Sequence, residues 1–170
     1  MKKIVRWGVI VLAALVGALL GTAFAARFAD GPIAAFPGGA LASGEWVETQ
    51  GLDWSFAADR DTLELQLLEP ESSRTVWGVV HEGALYVPCG VPHFTLWKQW
   101  PHHAVKDGRA VLRIDGKRYA VSLVRAPEDE RLAAGRATVE KYGVGTAEGL
   151  EDPDAFWAFR VEPRERAEDG

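Results

Sequence analysis

The chain has a single cysteine, Cys89, in 170 residues. One thiol cannot make an intramolecular disulfide even in an oxidising compartment, so the folded part must hold together by its core. Positive charge is scarce too: 19 Lys and Arg stand against 24 Asp and Glu, for a net of −5. Setting aside Lys2, Lys3 and Arg6 at the N-terminus leaves 16 of those basic residues against the same 24 acidic ones. No Lys/Arg stripe or basic run follows, which argues against nucleic acid and against anionic lipid headgroups as partners. CxxC, HxH and HExxH spacings are missing, so the sequence makes no zinc site and the expected metal is none. Walker loops, GxGxxG and a Ser-His-Asp pattern are missing as well, which leaves phosphoryl and acyl transfer without local support.

What the chain does have is one long apolar run. Trp7 to Ala26 contains no charged residue across 20 positions, enough to cross the hydrocarbon core of a bilayer as a helix. Lys2, Lys3 and Arg6 before it predict a cytoplasmic N-terminus, with the remainder exported to the periplasmic side of the cell membrane. Ala23-Phe24-Ala25 fits a signal-peptide cleavage pattern. The apolar run, however, exceeds the roughly 7–15 residues of a signal core, so a retained anchor is the favoured expectation.

Four regions follow: an anchor over 1–26, a linker over 27–45, a folded domain over 46–163 and an acidic tail over 164–170. The linker "RFADGPIAAFPGGALASG" is rich in Gly, Pro and Ala and sustains no apolar period. It reads as a flexible coil reaching on the order of 20–25 Å, shortened if Phe28, Ile33 or Phe36 pack on the domain.

Within the domain, "TLELQLLE" (Thr62–Glu69) alternates as a half-buried strand, and "RTVWGVV" (Arg74–Val80) is apolar on both faces like a central strand. His81-Glu82-Gly83 turns the chain into "ALYV" (Ala84–Val87). A short helical stretch is expected around Phe94–Trp100. In "AVLRIDGKRYAVSLV", Asp115-Gly116 predicts a type I′ turn that pairs Leu112 with Tyr119 and Ala110 with Val121. A helix should follow, with Pro127 at its first position, Gly143 just past its end, and Leu132, Val139 and Tyr142 as its buried stripe. "AFWAFRVEP" (Ala155–Pro163) closes the domain with Trp157, Phe159 and Val161 on one face. About six strands and one long amphipathic helix make an α+β fold, a small antiparallel β-barrel behind a single N-terminal transmembrane helix.

The stretch "VPCGVPHFTLWKQWPHH" (Val87–His103) concentrates the chemistry. Pro88, Gly90 and Pro92 break the helix that would bring Cys89 and His93 together, and the adjacent His102 and His103 point apart in any regular structure. A glycine after a strand, a lysine and indole faces can hold a phosphorylated planar ring, which makes Cys89, Gly90, Trp97, Lys98 and Trp100 candidates. Residue types alone lean toward the alternative of core tryptophans and a solvated Lys98. The hairpin register also sets Arg113 opposite Arg118. Like charges in that position need compensation, either from a carboxylate such as Glu64 or Glu69 or from a bound anion.

The order "TVWGVVHEGALYVPCG…WK…DGRAVLRIDGKRYAVSLVRAPEDE" resembles the split β-barrel proteins that bind flavin or deazaflavin, the pyridoxamine-phosphate-oxidase-like and deazaflavin-dependent nitroreductase group. The matching positions are Val76–Val80, Glu82-Gly83, Leu85–Val87, Cys89-Gly90, Ala110–Val124 and Glu128–Glu130, within roughly residues 62 to 161. The resemblance implies a homodimeric oxidoreductase with FMN or a deazaflavin, and haem as the less favoured cofactor. Relatives that take deazaflavin carry several basic residues after the glycine turn, where this chain has Lys98 alone. The alternative to a cofactor-binding domain is a non-catalytic interaction or assembly module at the outer face of the membrane.

Overall fold

The computed structural model describes residues 2–95 and 98–166. Helix α1 spans Lys2–Ala26, and its segment Val5–Ala26 is long and apolar enough to cross a membrane. Eight strands follow: β1 (Glu45–Val47), β2 (Leu63–Leu68), β3 (Glu71–Val76), β4 (Val79–His81), β5 (Ala84–Gly90), β6 (Arg109–Ile114), β7 (Lys117–Arg125) and β8 (Phe156–Pro163). Between them lie α2 (Trp100–Lys106), α3 (Glu128–Tyr142) and α4 (Ala147–Glu151).

The strands form one sheet in the order β3-β2-β6-β7-β8-β5-β4, antiparallel throughout, with β1 added parallel to β7. Laid flat, seven strands would hold their outer edges about 29 Å apart. Yet only Trp77 and Gly78 separate β3 from β4, and three virtual bonds reach about 11 Å. The sheet must therefore curl until its edges meet. Its interior confirms this, because Leu65 and Leu67 of β2, Leu112 of β6, Val121 of β7, Phe159 of β8 and Val87 of β5 share one core. A Cβ on Gly78 would lie 2.5 Å from Leu63 Cδ1 and 3.4 Å from Leu85 Cδ1, so the seam admits no side chain there. The architecture is α+β and barrel-like.

Local chemistry places several elements as expected. Asp115 and Gly116 take φ of 51° and 75°, the type I′ signature, and Leu112 faces Tyr119. Glu82 and Gly83 repeat that turn between β4 and β5, with φ of 50° and 75°. Gly143 ends α3 in the left-handed region at φ 65°.

Four expectations are corrected. Arg74–Val80 is not a central strand: it divides at Gly78 into the sheet's two edges. The helix expected around Phe94–Trp100 begins at Trp100, because Pro101 is tolerated only in a helix's first turn. The fully buried stripe of α3 is Arg131, Ala134, Gly135 and Thr138, while Leu132, Val139 and Tyr142 are half-buried at its margins. Small residues let α3 lie close on the outer face of β5 and β8, where it meets Tyr86, Phe156 and Ala158.

The fourth correction concerns the linker. Gly38 and Ser73 exchange both backbone hydrogen bonds, at 2.9 and 3.0 Å, and the Leu41 amide donates to buried Gln66 Oε1 at 2.8 Å. Ala26 and Leu41 are buried, whereas Phe28 is 78% exposed. The segment is thus part of the domain's wall, held by backbone and by Leu41, with Phe28 left outside and Phe36 half-buried.

Candidate functional site

The end of β5 brings part of the expected set together. Lys98 Nζ donates to Gly90 O at 2.7 Å. Cys89 lies opposite Trp157 of β8 and is only 2% exposed. Burial pushes its thiol up to about 11, against the opposing pull of Lys98 and Arg125, so it stays protonated at neutral pH. Trp100 is 7% exposed and packs its ring 5.4 Å from that of Phe159. Trp97 lies outside the described residues.

Beside this group, Trp157 is ringed by polar side chains. His93 and His102 meet it edge-on at 5.4 and 5.2 Å, and the Arg125 guanidinium lies 3.8 Å from its centroid. His93 Nε2 is 3.3 Å from Asp154, while His102 Nε2 sits 2.9 Å from Pro92 O. Among the described residues, no cluster of three or more His, Cys, Asp or Glu side chains forms a metal cage.

Arg113 and Arg118 face each other as the register requires, at a separate place sharing no hydrogen-bond partner with Lys98. Their like charges are answered from within the chain. Arg113 donates to Glu64 Oε2 at 2.6 Å, to Asp30 Oδ1 at 2.7 Å and to Ser43 Oγ at 3.0 Å. Arg118 donates to Gly44 O at 2.9 Å and Leu41 O at 3.0 Å, with its guanidinium 4.4 Å from the Trp46 ring centre. Hydrogen bonding by the Ser43 side chain, then by the Ala42 amide and Arg113, holds the Asp30 carboxyl well below the usual range in spite of burial. The linker carboxylate was not among the partners the sequence offered.

A different arginine is left without such company. A cleft of about 790 Å³ opens between the end of α1, the Pro37–Gly39 stretch, the start of β3 and the first turn of α2. Arg74, on β3, lines it. Its Nη2 donates to Ser72 Oγ at 3.1 Å, but its Nε is buried with no hydrogen-bond partner among the described residues. No described carboxylate lies within ion-pair distance of it, and burial alone lowers its guanidinium to about 10. Arg27, Trp100 and His103 share the same walls. Other hollows are less promising: the one of about 900 Å³ beside Trp46 and Thr49 is flanked by Arg164, whose Nε is engaged by Val121 O at 3.2 Å. Arg74 carries no local signal in the sequence, because its cross-strand neighbour, Leu65, is known only once β2 and β3 are paired.

No family model matches this chain, and no curated protein does. Solved structures similar at low identity include the following two. The haem storage protein HutZ from Vibrio cholerae is 13% identical, with 71% of this chain and 93% of that one covered, at a TM-score of 0.44. A NimC/NimA family protein from Clostridium acetobutylicum is 10% identical, with 69% and 89% covered, also at 0.44. The barrel therefore rests on its own strand pairing.

Chemically, the cleft offers a half-buried guanidinium with one orphaned N–H, a second cation at Arg27, a carboxylate at Glu71 and apolar surface from Trp100 and Phe24. A buried N–H left without an acceptor is costly, and a ligand phosphate or carboxylate would offset that cost.

Proposed function

We propose that this protein is a membrane-tethered, barrel-like domain that binds a small organic anion in the cleft at the foot of α1. The reading is carried by Arg74, a half-buried guanidinium whose Nε is buried without a partner among the described residues and which has no described carboxylate within ion-pair distance. Lys2, Lys3 and Arg6 ahead of the apolar span place the domain outside the cytoplasm in this proposal. A flavin or deazaflavin phosphate is the soluble form of the anion that the strand pattern favours, with a haem carboxylate second. Pairing of two copies belongs to the same proposal, since the resembling barrels commonly dimerise. Light scattering of the detergent-solubilised chain should then show a dimer.

The test is to titrate the solubilised full chain with FMN, a deazaflavin and haem, following absorption and tryptophan fluorescence, beside Arg74→Gln. A charge-assisted contact contributes about 1.5–3 kcal/mol, so the substitution should weaken binding about 10- to 100-fold. Equal binding by both proteins would remove the cleft from consideration. The second reading, an interaction module without a ligand, is favoured by the donors already engaged inside the chain: Lys98 by Gly90, and Arg113 by Glu64 and Asp30. It is sustained if no probe binds.

A further inference from the structure

We propose that the molecule held in this cleft is an anionic phospholipid drawn from the bilayer, with its phosphodiester on Arg74 and its acyl chains alongside Phe24. The inference rests on the cleft being an anion site and names the source of the anion.

Three observations carry it. Ala23 and Phe24 lie within the apolar span Val5–Ala26, and both also line the cleft that contains Arg74. The shared wall brings the end of the apolar span and the guanidinium into one hollow, where an acyl chain could follow Ala23 and Phe24 while a headgroup meets Arg74. Next, the barrel is not held off the helix end by a slack tether. Ala26 is fully buried, and the Gly39 amide reaches back to Ala29 O at 3.2 Å. Phe24 and Phe28 pack edge-to-face at 5.4 Å with both rings largely exposed, an apolar pair at the foot of the span.

The charge count then selects the head. Arg27 and Arg74 bring two positive charges to the walls, and Glu71 brings one negative charge at the exposed rim. The balance of one positive charge matches a phosphodiester, which carries a single negative charge, better than a phosphomonoester carrying about −1.5 to −2. The acidic composition of the domain argues against a broad basic face, but a single half-buried guanidinium needs none, and its attraction is screened less by salt than that of an exposed charge.

The experiment uses the full chain in detergent micelles doped with phosphatidylglycerol or phosphatidylcholine, with retained lipid counted by native mass spectrometry. The wild type should retain phosphatidylglycerol in preference to phosphatidylcholine. Arg74→Gln should reduce that retention about tenfold. Arg27→Gln, at an exposed position outside the barrel, should reduce it in the same direction, which keeps the test valid if Arg74→Gln fails to fold. Glu71→Gln should keep or raise it. Inorganic phosphate and FMN in parallel distinguish the sources. Arg74-dependent FMN binding without any preference for phosphatidylglycerol would overturn the membrane source and keep the anion site. Equal retention of both lipids by wild type and both arginine variants, with no Arg74-dependent FMN binding, would overturn both.

Discussion

At Asp30 a single carboxylate accepts from the Ala42 amide at 2.7 Å and from Arg113 Nη1 at 2.7 Å, joining a nominal spacer to β6. Its depressed ionisation ties that joint to pH. The unfolded chain takes up the proton first, near the ordinary value of 3.8, so Asp30 contributes stability above about pH 4 that is lost as pH falls toward its folded value. We expect the melting temperature to fall between about pH 5 and pH 3. Asp30→Asn should lower it at pH 7 and make the fall shallower. Some slope will persist, because hydrogen bonds from Ser55, Arg109 and Arg60 depress Asp53, Asp107 and Asp115 in the same direction. Thermal melts of both proteins across that range check this, and parallel slopes would separate Asp30 from the acid response.

At the scale of elements, α3 is the clearest case of packing by smallness. Ala134 is fully buried, and a Cβ on Gly135 would meet Leu150 Cδ2 at 2.8 Å. Ala134→Leu should therefore push the helix off β5 and β8 and cost about 1–3 kcal/mol by overpacking, read from the urea midpoint. Ala133→Leu, at a half-buried neighbouring position, should cost less. The helix itself was legible in the sequence, since Pro127 and Gly143 mark its ends by local backbone chemistry, as Asp115-Gly116 marks the β6–β7 turn. Its buried face was not, because that depends on which sheet surface comes to meet it. The same division holds at the site. Lys98 and Gly90 are eight residues apart and belong to one local stretch, whereas the place of Arg74 in a cleft depends on Gly38 pairing with Ser73 across 35 positions of chain.

For the whole molecule, the docked linker makes the domain larger than its strand pattern. A chain beginning at Arg27 keeps Asp30 and Leu41, while one beginning at Gly44 loses both and leaves buried Gln66 without the Leu41 amide. Exposing the Leu41 site alone forfeits about 1.5–3 kcal/mol. The shorter chain should accordingly melt lower and bind more of a hydrophobic dye, and equal melting temperatures would return the segment to the role of a spacer.

The two-residue crossing from β3 to β4 also sets an order of assembly. Residues 63–90 supply both ends of the ring, as the β2–β3 and β4–β5 hairpins, and they leave the ribosome before β6, β7 and β8 exist. The ring is therefore made gap first: two hairpins joined at Trp77-Gly78 stand open until the β6–β7 hairpin and β8 arrive to fill the space between β2 and β5. Until Phe159 is in place, the core that Leu65, Val87, Leu112 and Val121 share lacks one of its largest fully buried side chains, and the last strand synthesised is the one that seals it.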